Sequence, residues 1–293
     1  MALQWLWPPP WALAIPLWLA TATLAFVGAV STHNVMHSPM FSRRWMNCAW
    51  RGVQTLWYGQ PVSVFVPVHN QSHHRHVQSR RDLTRTTRVD LGWQLANLVV
   101  GTQWQLAAKR GLDAWFATRP RSRIRRHLRQ EGLLLIAFYG VLLALDWRST
   151  LVFVWAPHLV ASAGIRAVNY LQHDGCAYDA SGFDHSRNFV GRPLNWLFLN
   201  NGFHTVHHLR PGVHWSQLPA LHAELVAPHI HPALEVQSFG PWFWHHMVWP
   251  GLRIRYDGQP YEGQPSGEGP DLPWDPMVWR SEVVPCADRR RSG

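Results

Sequence analysis

The chain has 293 residues, enough for one large domain or two small ones, and it carries a net charge of +10. Charged residues make up 15% of it, against about 25% in a typical soluble protein, and it holds 19 histidines and 19 tryptophans. The three cysteines, Cys48, Cys176 and Cys286, form no CxxC unit, which excludes a disulfide framework and predicts free thiols outside any metal site.

The positive charge is concentrated in one part of the chain. Residues 1–42 contain no Asp, Glu, Lys or Arg, whereas residues 43–129 contain 16 Lys and Arg against three acids. A basic block beside apolar segments is typical of the cytoplasmic flank of a membrane protein. It therefore indicates a membrane partner and no nucleic acid.

The first predicted element is a membrane-spanning helix over residues 11–30, a run of 20 uncharged and mostly apolar residues. A secretory signal peptide is the competing interpretation, but the basic segment that opens such peptides is missing. Two later segments, residues 53–68 and 91–108, are too short or too amphipathic for a span. We predict that both are buried or lie in the membrane interface.

Two further spans are predicted over residues 132–145 and 150–168, separated by the polar turn Asp146–Ser149. Residues 119–126, just before this hairpin, contain five arginines. This positive charge predicts that the hairpin begins on the cytoplasmic side. The chain then returns to that side at Asn169. In this topology all the histidine clusters described below lie on the cytoplasmic side.

The predicted fold class is an all-α integral membrane protein, multi-pass, with a few transmembrane helices. A cytoplasmic helical cap holds the histidine-rich site, and residues 1–250 form the membrane domain. Residues 251–293 are polar and rich in Gly and Pro, which predicts a partly disordered cytoplasmic tail.

Nine histidines recur at helical spacing in four groups. Residues three or four apart share one face of a helix, so HxxxH presents two imidazoles side by side, and the extra histidine of HxxxHH or HxxHH points about 100° away. That third ring can reach a second ion. The groups are His33 and His37; His69, His73 and His74; His173; and His204, His207 and His208.

Nine imidazoles are too many for one ion and suit two, and neutral imidazole binds Fe, Zn, Cu and Ni. No HExxH motif is present, which argues against a zinc protease, and the Glu-x-x-His of soluble di-iron carboxylate proteins is also missing. A non-catalytic metal binder or transporter is the alternative class. It would place histidines along a path through the spans rather than on one side.

Other polar residues near these groups are candidates for supporting roles. His185, flanked by Asp184 and Arg187, is either an additional ligand or a group that orients a ligand. Side chains that hydrogen-bond to the ring nitrogens facing away from the metal are expected to orient the ligand rings. The candidates are Asp82, Asp174, Asp184 and Asn200.

The order of the histidine groups resembles the membrane fatty acid desaturase and hydroxylase superfamily over roughly residues 32–215. THNVMHS resembles the first box, HNQSHH the second, and NNGFHTVHH is very close to the third. NYLQHDG resembles the element between the spans and the third box. That resemblance implies His173 as a ligand and Asn169 as a contact to the metal through water.

The resemblance also implies two iron ions cycling between Fe²⁺ and Fe³⁺, with O₂ as oxidant and electrons from a ferredoxin or cytochrome b5 type donor. The expected substrate is a lipid or fatty acyl chain, and the expected reaction is desaturation. The first box reads HxxxH rather than the HxxxxH of many acyl-CoA desaturases, and it is similar to the HDAMH box of carotenoid ketolases. Hydroxylation or ketolation of an alkyl or carotenoid substrate is therefore the alternative.

Overall fold

The computed structural model describes residues 5, 10–88, 90–100, 106–118, 122–178 and 182–261. These residues are mostly helical, as the sequence predicts. The α-helices, in chain order, are α1 (Trp11–His37), α2 (Arg44–Tyr58), α3 (His74–His76), α4 (Gln94–Val99), α5 (Leu106–Thr118), α6 (Arg123–Thr150), α7 (Ala156–His173), α8 (Arg192–Leu197), α9 (His204–Leu209), α10 (Leu218–Leu225) and α11 (Phe239–Phe243).

Shorter elements connect these helices. Two strands, β1 (Asn188–Phe189) and β2 (Glu235–Val236), pair in parallel, with Asn188 opposite Glu235. The other connectors are π-helices at Val66–His73, Leu151–Trp155 and Trp244–Val248, and 3₁₀ turns at Val62–Val64, Thr86–Arg88, Trp215–Gln217 and Pro232–Leu234.

The chain folds into two compact units. The first is built from the described residues of Met1–Phe65 and Arg121–Ile165, and the second from those of Val66–Pro120 and Arg166–Glu282. Among the described residues, two helical runs are long and apolar enough to cross a membrane, Ala12–His37 and Arg123–His173. The sequence predicts three separate spans, whereas the structure joins the second and third in one helical run.

The helical run from Arg123 reverses its direction at Asp146. The backbone there leaves the helical region, with φ −154° and ψ 98°. The Tyr139 hydroxyl lies 2.6 Å from Nδ1 of His158, 19 residues further on, whereas a straight helix would separate them by about 28 Å. Asp146 Oδ1 accepts hydrogen bonds from the backbone amides of Arg148 and Ser149, as an N-cap residue does. The reversal therefore falls on the polar turn that the sequence predicts.

A tight contact also explains how α2 ends. Gly59 adopts φ +74°, and a Cβ atom there would lie 2.2 Å from the His158 ring. Only glycine fits this position without displacing the imidazole. Gly59 thereby divides the predicted interfacial segment 53–68 into the end of α2, a 3₁₀ turn and the start of a π-helix.

A buried carboxylate ties three elements of the first unit together. Glu131 of α6 is 2% exposed. One of its oxygens lies 2.9 Å from an Arg51 guanidinium nitrogen, and the carboxylate also accepts hydrogen bonds from the Ser63 amide and hydroxyl. Both oxygens of this carboxylate are thus engaged, by α2 and by the 3₁₀ turn that precedes the HNQSHH motif.

Replacing Glu131 by alanine is expected to destabilise the protein by about 3 kcal/mol, because it leaves the largely buried Arg51 without its counter-charge. Glu131→Gln keeps an acceptor for the Ser63 amide, so its loss should be smaller. Thermal unfolding of the detergent-solubilised protein measures both variants, with the exposed Glu224 replaced by alanine as control. Equal midpoints for Glu131→Ala and the control would show that the tie contributes nothing.

Two apolar clusters in the second unit lie beside the histidine segments. Tyr170 and Leu171, in the last turn before His173, pack with a first cluster that also contains Phe189 and Met247. Val206, between His204 and His207, is fully buried in a second cluster. Core packing therefore immobilises the two helices that carry these histidines.

The remaining predicted segments are described only in part. Within residues 91–108, α4 covers Gln94–Val99, and residues 101–105 lie outside the described part of the chain. Of the predicted tail, residues 251–261 are described, and they form an Ile254–Pro260 bridge and several buried contacts. Residues 262–293, with Cys286, lie outside the described part.

Candidate metal centre

Four of the predicted ligands in the second unit point their ring nitrogens at a common centre. They are His73, His173, His204 and His208, and one ligand nitrogen of each lies within 4.8 Å of all the others. The Nε2–Nε2 distances are 3.0 Å between His73 and His173, 2.9 Å between His173 and His204, and 3.2 Å between His204 and His208. We call these residues the first histidine group.

Three more predicted ligands of the same unit converge beside it. Nε2 of His74 lies 3.0 Å from Nε2 of His69 and 3.1 Å from Nε2 of His207. His69, His74 and His207 form the second histidine group. The two groups adjoin, because the His74 and His208 rings stack with their centroids 4.2 Å apart.

The π-helix at Val66–His73 decides how the HxxxHH motif is divided. On an α-helix His69 and His73 would share a face, and their rings do stack at 5.2 Å. A π-helix has a wider turn, with i→i+5 hydrogen bonds, so it brings residues five apart closer to one face than an α-helix does. His69 therefore shares a group with His74, and His73 points into the other group.

The third motif follows α-helical spacing throughout. In α9, His204 and His208 are one turn apart and both belong to the first group, whereas His207 is turned away and belongs to the second. One short helix thus contributes to both groups. The HxxHH pattern predicts that one ring is turned away from the others, and the structure identifies it as His207.

A buried carboxylate orients the His73 ring. Asp82 Oδ2 lies 2.9 Å from Nδ1 of His73, and both side chains are fully buried. Burial alone would raise the pKa of the Asp82 carboxyl, but attraction to His73 and hydrogen bonds from His73 and the amides of Thr84 and Gln78 hold it well below its usual range. The ionised carboxylate accepts a hydrogen bond from Nδ1–H of His73, which leaves Nε2 facing the other ring nitrogens of the first histidine group.

A backbone carbonyl orients the His173 ring in the same way. Nδ1 of His173 donates to the carbonyl oxygen of His185 at 2.8 Å. Nε2 of the neutral ring therefore carries a lone pair, which points at Nε2 of His73, only 3.0 Å away. Two facing ring nitrogens at this distance are stabilised by a cation between them, either a proton or a metal ion.

The spacing and protonation of the group suit a first-row transition ion. Nitrogens about 2.1 Å from a shared ion are about 3.0 Å apart when the bonds meet at right angles, which is close to the observed separations. Burial and the neighbouring imidazoles, His74 first among them, hold the pKa of His208 well below its usual value. His208 is thus neutral at physiological pH, the form that binds metals.

Two further predicted residues lie close to the first group. His185 is fully buried, with its ring 5.2 Å from that of His208, but it belongs to neither group and contacts His173 through its backbone oxygen. Asn169 donates its side-chain amide to the Thr84 carbonyl at 3.3 Å. Thr84 in turn lies 3.0 Å from Nδ1 of His73.

The proposed orienting residues are found in different surroundings. Asp82 contacts a group histidine directly. Asp174 accepts hydrogen bonds from Gln94 and Arg253 instead. Asn200 donates to the Trp215 carbonyl at 3.3 Å, and the Asp184 carbonyl accepts from the Ala177 amide. Only a three-dimensional structure distinguishes these roles.

The first histidine motif belongs to the first unit. His33 and His37 lie in the last turns of α1, with their ring centroids 5.1 Å apart and nearly perpendicular. The two rings are thus side by side on one helix face, as HxxxH spacing predicts.

Cys176 is close to the first histidine group in sequence but has a different character. It is 1% exposed, and burial raises the pKa of its thiol to about 12. A protonated thiol is a poor metal ligand. This agrees with leaving the cysteine out of the predicted site.

The chain thus falls in the class of helical proteins with two long apolar helical runs and two adjoining groups of histidines that could hold metal ions. The particular family follows from comparison with known families. The model of the family described as "Fatty acid desaturase" matches residues 7–250, and the chain belongs to this family. Comparison with curated proteins and with solved structures gave no match.

Proposed function

We propose that the protein oxidises a lipid or fatty acyl chain with O₂ at a centre of two iron ions, and that the reaction is a desaturation. Membership of the fatty acid desaturase family implies oxidation of acyl chains. The observation that carries the metal centre is the pair of Nε2 atoms of His73 and His173, held 3.0 Å apart while both Nδ1 atoms donate elsewhere.

The two histidine groups divide the ligands between the two ions. The first group supplies His73, His173, His204 and His208 to one ion, and the second supplies His69, His74 and His207 to the other. We assign His33 and His37 to the second ion as well, because that group has fewer ligands within its unit and HxxxH offers two rings together. Asn169 contacts the metal through water, and His185 supports His173 rather than binding.

The residues of the chain orient the ligands and exclude water. Asp82 and the His185 carbonyl fix the rings of His73 and His173, so that both present Nε2 to the centre. His73 and His173 are fully buried, which keeps bulk water from the ligand nitrogens. When bound, the two irons supply the power to reduce O₂ and remove hydrogen from an unactivated C–H bond.

The setting we propose is a multi-pass membrane protein with the site on the cytoplasmic side. Support comes from α1 and the α6–α7 hairpin, whose apolar side chains are largely exposed, for example Ile15, Leu24, Ile136 and Leu145. Such surfaces are stable in hydrocarbon but unfavourable in water. The substrate chain would enter from the bilayer, and a ferredoxin or cytochrome b5 type donor would supply electrons.

A second reaction of the same site is hydroxylation or ketolation. The observation that favours it is the HxxxH spacing of His33 and His37, which is similar to a carotenoid ketolase box. Both reactions begin by removing a hydrogen atom. They differ in whether a second hydrogen leaves or an oxygen is retained.

Expression in a host that lacks the gene, followed by mass spectrometry of total lipids, tests the proposal. We expect new lipid species that have lost two hydrogens, formed only in the presence of O₂ and absent from cells that express His207→Ala. Species that have gained an oxygen would support the alternative reaction. Unchanged lipids from cells that contain the iron-loaded protein and a suitable donor would contradict both.

A further inference from the structure

Residues 251–255 lie directly against the turn that follows His173. Gly175 in that turn adopts φ +73°, and a Cβ atom added there would lie 1.8 Å from the Ile254 carbonyl oxygen. The Gly251 carbonyl accepts a hydrogen bond from the Gln94 amide at 3.0 Å. The backbone of residues 251–255 thus contacts the turn after His173, with no room for a side chain between Gly175 and Ile254.

Arg253 projects from this segment into a buried polar network. Its side chain is 8% exposed, and its Nε lies 3.0 Å from the Asp174 carboxylate. One terminal nitrogen donates to Asp90 at 3.2 Å and the other to the Tyr170 hydroxyl at 3.1 Å. The planar guanidinium can bind three such partners at once, which a lysine ammonium on its flexible chain does less well.

The network closes around the residue next to His173. Asp174 is 2% exposed and also accepts a hydrogen bond from the side-chain amide of Gln94. Gln94 in turn accepts from the Tyr170 hydroxyl at 2.6 Å. Tyr170 lies three residues before His173 in the last turn of α7, and Asp174 follows His173 directly, so the same set of bonds holds the chain before and after the ligand.

A second arginine holds the same helix end. Arg187 is 1% exposed and donates to the carbonyl oxygens of Leu171 at 2.9 Å and Asp174 at 3.2 Å. Such carbonyls at a helix C-terminus have no partner within the helix and carry partial negative charge. Arg187 lies close to His173 and His185 in sequence. Arg253 instead lies in the segment that follows the apolar part of the chain.

We propose that Arg253 is a positioning residue of the metal centre: through Asp174 and Tyr170 it fixes the end of α7 so that Nε2 of His173 faces the first histidine group. The inference rests on the proposed ligation by His173. It gives residues 251–255 a role in the site, although their composition resembles a linker. It also confines the effect of Arg253 to one of the two ions, because His173 belongs to the first group alone.

Replacing Arg253 by alanine is therefore expected to weaken binding of one iron about 10- to 100-fold, as changes in the support of metal-bound histidines do, and to leave the other unchanged. Anaerobic titration of the purified full-length protein with Fe²⁺ against a competing chelator measures both affinities. The absorption spectrum of the Co²⁺-loaded protein should change at one site only. Arg253→Lys should give an intermediate loss.

The matched control is Arg255→Ala, two residues further on. Arg255 is 43% exposed and pairs with Asp257 at 3.0 Å, so this variant loses the same charge from the same segment without touching the network. It should bind both ions like the wild type. Binding in Arg253→Ala equal to that in Arg255→Ala overturns the role of Arg253, whereas a wild-type protein that binds no iron overturns the metal centre itself.

Folding is followed by thermal unfolding of each variant. If Arg253→Ala fails to fold, Arg253→Lys decides the question. A selective loss of affinity for one ion in that folded variant supports the positioning role. Wild-type affinity for both ions assigns Arg253 to stability alone and overturns the inference.

Discussion

Replacing His204 or His207 by alanine is expected to leave about one iron per chain and to lower O₂-dependent turnover by at least about a hundredfold. Removing a residue that only orients a metal ligand lowers activity by up to about a hundredfold. Removing the ligand itself should lower activity at least as much. Each residue serves a different group: Nε2 of His204 lies 2.9 Å from that of His173, and Nε2 of His207 lies 3.1 Å from that of His74. Loss of either ion should stop the reaction because both are needed.

Iron analysis and product formation measure these variants. The matched control is His231→Ala, an exposed histidine of the same unit that belongs to neither group among the described residues. It should keep two irons and full turnover. Full iron content and activity in His204→Ala or His207→Ala would show that the ligand assignment is wrong.

Replacing Asp82 by asparagine is expected to lower activity and metal affinity about 10- to 100-fold while the fold is retained. The substitution preserves size, and the single asparagine oxygen can still accept from one of the two amides, Gln78 or Thr84, that the carboxylate engages. It removes the negative charge 2.9 Å from Nδ1 of His73 and so makes the opposite nitrogen of that ring a weaker ligand. The effect should fall on the ion of the first group.

Asp257→Asn is the control for this variant, since the partly exposed Asp257 pairs with Arg255 and accepts from the Gln259 amide rather than from a histidine. Iron affinity by chelator competition separates a change in ligation from a change in stability, which unfolding midpoints report. An Asp82→Asn protein with wild-type affinity for both ions would mean that the carboxylate serves the fold and not the metal.

Local spacing predicts those parts of the site that lie on regular helices. His204, His207 and His208 lie on an α-helix, so the HxxHH pattern indicates that the three rings do not all point in one direction. His33 and His37 likewise appear side by side at the end of α1. These are properties of a 3.6-residue period, which the sequence displays directly.

The division of the second motif is not predictable from spacing. The α-helical period pairs His69 with His73, but the chain winds as a π-helix from Val66 to His73 and places His74 with His69. A π-helix depends on packing around it rather than on a residue pattern. The sequence therefore indicates that these histidines are ligands without showing which ion each serves.

Residues that support the ligands depend on contacts between distant segments. The sequence offers four residues that could orient a ligand ring and does not distinguish between them. The structure places one of them, Asp82, against His73. His185 supports His173 through its backbone oxygen, which no side-chain pattern reveals. Arg253 contacts Asp174 from a predicted tail whose Gly-rich and Pro-rich composition indicates disorder.

In the apolar hairpin, too, the local sequence predicts the turn, whereas the contact between its two helices depends on how they pack. Two apolar runs around a polar turn predict a reversal, and Asp146 caps the helix that follows it. The bond between Tyr139 and His158 within the hairpin depends on how the two helices are rotated against each other. Hydropathy alone does not determine that rotation.

Metal analysis of the purified full-length protein tests the central claim most directly. Elemental analysis together with iron X-ray absorption should find two irons per chain, each bound mainly by imidazole nitrogens at about 2.1 Å. A chain that folds and retains its histidines but binds no more than one metal ion, or whose iron has no imidazole ligands, would contradict a two-iron histidine centre.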